Sequence, residues 1–368
     1  MLAIVSFMSE LYSVIIGSGR YLPTQIIKNE DFLHHTFFDS EGKRLKKSNE
    51  EIVRKFSDIT GIFERRQVTD DLVASDIGYF AAREALASSG VDGETLDYII
   101  FAHNFGDIKA DNRRSDLVPT LASRVKGRLG IMNPDTVCFD LPFGCAGWLQ
   151  GVIQADFYIK AGAAKRVLVV GGETLSRICD PHDRDSMIYA DGAGAAILEA
   201  RKSDTPMGIL AHSAITDAGE YTYVLKMQPS YNPDYPGNDL FLKMKGRVLY
   251  ELALKAVPKV MQRVLEKANI SLAQVSTVLI HQANKKMDEA IVRRLYEEYR
   301  LAMPENIMPM IISWLGNSSV ATVPILYDLI NKGKFLPNQF IPGNVLLFAA
   351  MGAGVNVNSV VYRVPEEH

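Results

Sequence analysis

A cysteine, a histidine and an asparagine stand in short motifs where they could act on a thioester carbonyl. Cys145 lies in the run LPFGCAGWLQ, in which Pro142, Gly144 and Gly147 predict a tight turn between a strand and a helix. A cysteine at a helix start is expected to have a lowered thiol pKa, because the unpaired N–H groups and the helix dipole favour the thiolate. The motif therefore favours a nucleophile over the commoner alternative, a small buried core residue.

The other two residues have simple explanations when taken singly. His281 ends an apolar run in VLIHQANKK, and a histidine at a strand end is often structural. Asn284 and Asn317, the latter in GNSSVAT, each precede a predicted helix and could simply cap it. The two remaining cysteines, Cys138 and Cys179, are interpreted as structural.

Short apolar runs alternate with longer helical patterns, which predicts layers of helices and sheets. The predicted strands are 12–16, 97–102, 136–141, 166–170, 195–199, 275–280 and 345–349, and the predicted helices are 73–89, 148–160, 246–268, 287–300 and 320–331. Cys145 and His281 each follow a predicted strand and precede a predicted helix, so the chain is interpreted as two similar halves. Charge and a proline near 201–206 interrupt the apolar pattern, which places the halves at 1–202 and 203–368.

Composition narrows the function classes. A net charge of −3 gives no reason to expect a nucleic-acid partner. The three cysteines form no disulfide or metal-binding pattern, which suits a cytoplasmic protein. The apolar run Met1–Met8 is too short for a signal sequence, and Met8 is an alternative start. No run approaches the roughly 18 apolar residues of a membrane span.

Together the motifs resemble the β-ketoacyl-acyl-carrier-protein synthase III family of condensing enzymes, over nearly the whole chain. The motifs that carry the resemblance are TGIFERR at 60–66, GCAG at 144–147, CDPHDR at 179–184, YADGAGAAIL at 189–198, HQAN at 281–284, GNSSVAT at 316–322 and MGAG at 351–354. HQAN and GNSSVAT at this separation from the cysteine are highly specific, whereas a glycine pair alone would be weak.

The resemblance implies a Cys145, His281 and Asn317 triad on a five-layered αβαβα thiolase fold, in a homodimer. It implies an oxyanion hole made by the backbone N–H groups of Cys145 and Gly354. The expected reaction is a decarboxylative Claisen condensation of a cysteine-bound acyl group with a malonyl thioester. Substrates are acyl thioesters of acyl carrier protein or coenzyme A, with no tightly bound cofactor and no metal.

The sequence also departs from the family. The tryptophan and arginine that clamp the adenine of coenzyme A are replaced by Lys55 and Ile59, which favours carrier-protein donors, while Arg184 matches a residue at the cofactor mouth. Val118 stands where a bulkier residue before a proline limits the acyl pocket across the dimer, so longer or branched acyl chains are expected. The segments 32–48 and 104–120 are longer than usual, the second being polar and charged.

Three further expectations concern partners and alternatives. The candidates for docking an acidic carrier protein are basic residues, although a solvated helix face explains them equally well: Lys243, Lys245, Arg247, Lys285 and Lys286. Asn284 is expected to bind substrate. Alternative functions are acyl transfer alone, joining of two ketoacyl chains, and a catalytically silent partner of another synthase.

Overall fold

The computed structural model describes residues 10–366, so the expectations for Met1–Met8 lie outside the described residues. The strands are β1 (Glu10–Tyr21), β2 (Gln25–Lys28), β3 (Glu64–Gln67), β4 (Tyr98–His103), β5 (Asp107–Lys109), β6 (Asn112–Asp116), β7 (Val137–Pro142), β8 (Arg166–Thr174), β9 (Asp191–Ser203), β10 (Gly208–Thr216), β11 (Leu225–Gln228), β12 (Phe241–Met244), β13 (Val275–Ile280), β14 (Val345–Gly352) and β15 (Asn356–Arg363). The helices are α1 (Asn49–Thr60), α2 (Ala74–Ser89), α3 (Leu121–Leu129), α4 (Gly147–Lys160), α5 (Gly246–Ala268), α6 (Lys285–Glu298), α7 (Ile312–Leu315) and α8 (Thr322–Asn331).

Two sheets organise these elements. The first has the strand order β1-β9-β8-β4-β7, and the second has the order β10-β15-β14-β13. Helices α2 and α3 pack on the outer face of the first sheet, and α5 and α6 cover the outer face of the second. Helices α4 and α8 lie between the sheets. The five layers are helix, sheet, helix, sheet, helix, which confirms the predicted αβαβα thiolase fold.

The central position of α4 explains its apolar sequence. Trp148, Leu149, Val152 and Ile153 are all buried, and burying each such side chain contributes roughly 1.5–3 kcal/mol. The indole N–H of Trp148 donates to the carbonyl of Val169 in β8 at 3.2 Å. This packing fixes the start of α4, and with it the turn that carries Cys145.

Two of the predicted site residues each follow a strand that pairs in parallel with its neighbour, one in each sheet. β7 runs parallel to β4 and is followed by the Cys145 turn and α4, while β13 runs parallel to β14 and is followed by His281 and α6. β9 ends at Ser203, one residue past the expected boundary between 202 and 203, and β10 begins at Gly208. The division into two similar halves at this boundary stays a prediction.

Helix α1 was not predicted, and it borders the site. The hydroxyl of Ser48 accepts a hydrogen bond from the N–H of Glu51 at its start, and Gly61 ends it with φ +70°. A β-carbon on Gly61 would lie 2.9 Å from Cβ of Lys285 on α6, so the end of α1 packs closely on α6. Within residues 10–366, no helix is long and apolar enough to span a membrane.

Candidate active site

Cys145 lies in a one-turn 3-10 helix, Gly144–Ala146, directly before α4. Gly144 has φ +65°, a conformation that favours glycine. A β-carbon on Gly144 would lie 2.5 Å from the backbone nitrogen of Ala353, and one on Gly352 would lie 2.4 Å from that of Cys145. The chain at the end of β14 is thus packed against the cysteine turn with no space for a side chain between them.

Burial, rather than the helix start, dominates the ionisation of Cys145. It raises the pKa of the thiol to about 11, and the Ser319 hydroxyl and the backbone at Cys145 oppose this effect only in part. The expectation of a lowered pKa is therefore wrong. At neutral pH the resting cysteine is a thiol.

Ser319 links Cys145 to Asn317. Its hydroxyl donates to Sγ of Cys145 at 3.2 Å, and its backbone N–H donates to Oδ1 of Asn317 at 2.8 Å. Ser319 has φ +53°, which is uncommon for a residue other than glycine. Such a conformation persists only where its surroundings fix it, and such sites are often functional.

Asn317 is held by hydrogen bonds on both sides of its backbone. Its N–H donates to the carbonyl of Ile188 at 3.0 Å, and its carbonyl accepts from the N–H of Ala190 at 2.8 Å. Because Oδ1 is bound by Ser319, the side-chain NH₂ group is the part that can face a substrate oxygen. A turn-stabilising role and a substrate-binding role are therefore compatible.

His281 is buried at the end of β13, where its backbone N–H donates to the carbonyl of Ala349 at 2.9 Å. Burial lowers the pKa of the imidazole to about 4, with the backbone of Ser319 opposing the shift. Among residues 10–366, Nδ1 has no hydrogen-bond partner. At neutral pH the ring is uncharged and carries one N–H group, so it can serve as a neutral donor.

Cys145, His281 and Asn317 line a single cavity of about 470 Å³. Arg184 and Asn284 line it as well, and the side chain of Asn284 also caps α6 by accepting from the N–H of Met287 at 3.1 Å. Most of the other walls are apolar and come from α1, β12, α5 and α6; they include Ile52, Phe56, Leu242, Met244, Ala253, Val257 and Ile291. This apolar lining suits a hydrocarbon chain or the arm of a thioester.

The residues predicted to limit the acyl pocket and to complete the oxyanion hole, Val118 and Gly354, lie outside this cavity. Val118 is 85% exposed, so within its own chain it lines no part of the cavity. Gly354 is also absent from the wall, whereas its neighbours Gly352 and Ala353 belong to it. The geometry therefore favours the N–H of Ala353, and not that of Gly354, as the backbone donor nearest the cysteine turn.

Lys243 is only 2% exposed, so its assignment to a docking surface is wrong. Its ammonium group forms ion pairs with Asp180 and with Asp183, the latter at 3.0 Å, and lies 3.4 Å from the centre of the Tyr231 ring. Buried and partly exposed side chains alternate along β12, and Lys243 is on the buried side with Phe241. The lysine neutralises two carboxylates inside the protein.

The other basic candidates are exposed: Lys245, Arg247, Lys285 and Lys286. Arg247 lies at the cavity mouth, where Lys47 and Lys55 of the α1 region also stand. Sequence reasoning missed Lys47 and Lys55 as part of this basic rim, because it did not predict α1.

The long segment 32–48 packs on the CDPHDR loop. The N–H of Phe38 donates to the carbonyl of His182 at 2.9 Å, and Nδ1 of His182 lies 3.0 Å from the carbonyl oxygen of Thr36. Between the segment and this loop lies a second, more polar cavity of about 600 Å³, which shares Arg184 with the first. The segment therefore supports the loop that brings Arg184 to the mouth.

Three further residues at or beside the site were not predicted. Asn104 lines the cavity and binds both Ser319 and the buried Glu173. Asp288 in α6 is fully buried at the cavity wall, and among residues 10–366 neither of its carboxylate oxygens has a hydrogen-bond partner. Asn104 begins the long polar segment 104–120 that the sequence singled out, whereas no motif marks Glu173 or Asp288.

Comparison with known proteins supports the arrangement. The family model described as 3-oxoacyl-[acyl-carrier-protein] synthase III matches residues 139–218, and its C-terminal model matches residues 265–364. The β-ketoacyl-[acyl-carrier-protein] synthase III 1 of Vibrio vulnificus (strain YJ016) is 32% identical over 356 residues, covering 96% of this chain and 100% of that relative. The corresponding synthase III of Paracoccus denitrificans (strain Pd 1222) is 31% identical and covers 95% and 99%.

Solved structures agree. The 3-oxoacyl-[acyl-carrier-protein] synthase III from Aquifex aeolicus VF5 superposes with a TM-score of 0.76 at 30% identity, over 95% of this chain and 99% of that one. The priming β-ketosynthase of the R1128 polyketide pathway shares the fold, with a TM-score of 0.78 at 24% identity over 99% of both chains. The cysteine motif falls in the first matched region, and the histidine and asparagine motifs fall in the second. The chain thus belongs to the 3-oxoacyl-[acyl-carrier-protein] synthase III family of acyltransferases.

Proposed function

We propose that this enzyme condenses an acyl group held on Cys145 with a malonyl, or similar, thioester on acyl carrier protein, in fatty acid or specialised lipid or polyketide biosynthesis. The observation that carries the proposal is the convergence of Cys145, His281 and Asn317 on one largely apolar cavity. Family membership supports the reaction class. The reaction uses no tightly bound cofactor.

In the first half-reaction the sulfur of Cys145 adds to the carbonyl carbon of an acyl thioester. The bond from that carbon to the donor sulfur breaks, and the proton of the Cys145 thiol ends on the departing donor thiol. Negative charge develops on the carbonyl oxygen meanwhile. The backbone N–H groups of Cys145 and Ala353 are the proposed oxyanion donors, and each such donor is worth on the order of 3 kcal/mol.

In the second half-reaction a malonyl thioester loses carbon dioxide, and the electron pair of the broken bond moves onto the thioester oxygen as an enolate. The N–H of His281 and the side-chain amide of Asn317 hold this charge. The enolate carbon then attacks the acyl carbonyl, the bond to Cys145 breaks, and the released thiolate takes a proton from solvent to regenerate the thiol. Burial holds the pKa of His281 near 4, so the imidazole is neutral at neutral pH. The N–H of a neutral imidazole is a very weak acid, so the ring donates a hydrogen bond to the enolate without losing its proton.

The proposed partners are acyl carrier protein and a second copy of this chain. Lys55 and Ile59 line the cavity mouth in place of the adenine clamp, which supports carrier-protein donors. The exposed Val118 is suited to contact a partner subunit and to limit its acyl pocket. We also propose a cytoplasmic location, which the three free cysteines support.

Intact mass measurement tests the acylation step directly. The enzyme is incubated with a panel of acyl thioesters of carrier protein and of coenzyme A, and the mass increase identifies the donor. Wild-type enzyme should gain one acyl group, located on Cys145 by peptide mapping, and Cys145→Ala should gain none. An adduct that persists on Cys145→Ala would refute the assignment of the nucleophile.

Acyl transfer alone, or the joining of two ketoacyl chains, is the alternative within the family. The apolar wall formed by Ala253, Val257 and Ile291 extends the cavity between α5 and α6, which supports a site with room for a second chain. Release of labelled carbon dioxide from malonyl carrier protein separates condensation from transfer. A silent partner subunit is disfavoured because Cys145 and His281 are both retained.

A further inference from the structure

A chain of hydrogen bonds connects a buried carboxylate to the sulfur of Cys145. Oε2 of Glu173 accepts from the side-chain amide of Asn104 at 2.6 Å and from the backbone N–H of Asn104 at 2.8 Å. The same amide nitrogen donates to Oγ of Ser319 at 3.0 Å, and the Ser319 hydroxyl donates to Cys145 Sγ at 3.2 Å. The reaction described above gives no role to Glu173 or Asn104.

The carboxylate fixes the direction of every bond in this chain. An ionised carboxylate only accepts hydrogen bonds, so Asn104 must turn its NH₂ group, and not its oxygen, toward Glu173. The second hydrogen of that NH₂ group then points to Oγ of Ser319. A serine hydroxyl has a single proton, and with Oγ accepting from Asn104 this proton is directed to the sulfur.

We propose that Glu173 and Asn104 are positioning residues that orient the Ser319 hydroxyl to donate to the sulfur of Cys145, stabilising its thiolate. The inference rests on the proposed role of Cys145 as the nucleophile. The hydrogen bond matters because this thiol is buried, and burial disfavours the charged form. Without the acceptor on Glu173, the Asn104 amide is free to rotate and present its oxygen to Ser319. The hydroxyl would then donate to Asn104, and the sulfur would lose its donor.

The charge of Glu173 acts in the opposite direction through space. It raises the pKa of Cys145, whereas the hydrogen bond from Ser319 lowers that pKa and has the larger effect of the two. Removal of the acceptor should therefore raise the pKa of the Cys145 thiol, whereas removal of the charge alone should lower it. This difference in sign makes the two roles of Glu173 separable by experiment.

The other titratable groups around this chain are few in the described part of the protein. Burial raises the pKa of the Glu173 carboxyl to about 7; the nearby His103 lowers this pKa, and Asp191 raises it. Tyr189 stands near Cys145, with a pKa raised well above its ordinary value, so it stays neutral over the range of interest. His281 is also neutral there, because its pKa is about 4.

The test is the rate of iodoacetamide alkylation of Cys145 between pH 8 and 10, where the Glu173 carboxyl is ionised, followed by the mass of its peptide so that Cys138 and Cys179 do not contribute. Ser319→Ala, which removes a single oxygen atom, should slow alkylation about tenfold at a given pH below the thiol pKa. Glu173→Met, which removes the acceptor, should slow it at least about threefold. Glu173→Gln keeps an acceptor oxygen without the charge and should react as fast as wild type or faster.

The decisive comparison is the double variant. In a Ser319→Ala background, Glu173→Met should not slow alkylation further, because only the through-space charge effect remains. Glu94→Met is the matched control, since Glu94 also accepts two N–H groups, those of Met132 and Asn133, but lines no part of the cavity. It should alkylate like wild type.

Two results would overturn the inference. One is a Glu173→Met variant that reacts as fast as wild type, and the other is an equal slowing by Glu173→Met in both backgrounds, which indicates general disruption. Alkylation needs neither acyl donor nor carrier protein. A failed condensation assay with the expected alkylation pattern would therefore refute the proposed function alone.

Discussion

Gly352 ends a strand of the second sheet and Cys145 lies in the turn that follows a strand of the first, yet the two residues meet: a β-carbon on Gly352 would lie 2.4 Å from the backbone nitrogen of Cys145. Gly352 is the last residue of β14 in the second sheet, whereas the cysteine turn follows β7 in the first. The end of the second sheet therefore positions both the nucleophile and the N–H group that we assign to the oxyanion hole.

The first prediction concerns this contact. Gly352→Ala should lower kcat/KM by about 100-fold or more, because the added carbon must displace the cysteine turn and misplace an oxyanion donor. The measurement is steady-state condensation together with the melting temperature. Gly127→Ala in α3 is the control, since within the described residues a β-carbon there meets nothing within 4 Å. Wild-type activity in Gly352→Ala would show that the close approach is not needed.

Asp288 provides a prediction for stability against pH. Burial raises the pKa of this carboxyl well above its ordinary value, so the folded protein keeps a proton that the unfolded chain loses near pH 3.9. Folding stability contributed by this group therefore falls as pH rises above that point. Asp288→Asn cannot ionise, and it should raise the melting temperature at pH 8 by roughly 2–6 °C.

The difference between Asp288→Asn and wild type should shrink toward pH 4, where the wild-type carboxyl is protonated in the folded state and about half protonated in the unfolded chain. Differential scanning calorimetry across this range measures it. Glu297→Gln, at an exposed position of the same helix, should change little at either pH. A constant difference from pH 4 to pH 8 would contradict the raised pKa.

Carrier-protein docking predicts an effect that depends on the substrate. Joint reversal of Lys285 and Lys286 to glutamate should lower kcat/KM for carrier-bound substrates about tenfold and weaken its salt dependence. A small thioester mimic should be affected much less. Lys259→Glu is the control, because Lys259 is exposed in the middle of α5, whereas Lys285 and Lys286 directly follow the cavity residue Asn284. Equal losses for both kinds of substrate would count against docking.

The chain-length prediction rests on Val118 reaching a partner subunit's pocket. Each buried methylene contributes about 0.8 kcal/mol, so preference should rise about fourfold per carbon until the pocket ends. Val118→Phe should keep short donors and reject medium and long ones. Met132→Phe, at another exposed apolar position (83%), should leave the profile unchanged. A Val118→Phe enzyme with the wild-type profile would leave a purely structural contact as the explanation.

Much of the fold could be predicted from periodicity. α5 and β13 have the predicted bounds, since apolar spacing and flanking glycine or polar residues mark their ends clearly. β1 is longer than predicted, because Gly17 and Gly19 interrupt the strand pattern. A β-carbon on Gly19 would lie 2.2 Å from the carbonyl oxygen of Ala81 in α2, so the glycine that weakens the pattern is the one that lets the helix approach.

The site was predictable where short motifs carry it and unpredictable where distant residues meet. Cys145, His281 and Asn317 stand in recognisable motifs, and all three reach one cavity. The contact of Asn104 with Ser319 spans 215 positions and leaves no local pattern. Lys243 was misassigned because charge alone suggested exposure, whereas two carboxylates compensate its burial.

The central claim is that His281 and Asn317 serve carbon–carbon bond formation after Cys145 has been acylated. The most direct measurement is release of labelled carbon dioxide from malonyl carrier protein by enzyme that has been acylated beforehand and checked by intact mass. Wild type should release carbon dioxide in step with product. His281→Ala and Asn317→Ala should be acylated normally. Their rates of carbon dioxide release and product formation should both fall by about 100-fold or more, the scale of one lost electrostatic donor. If both variants release carbon dioxide and form product at the wild-type rate, the account is contradicted.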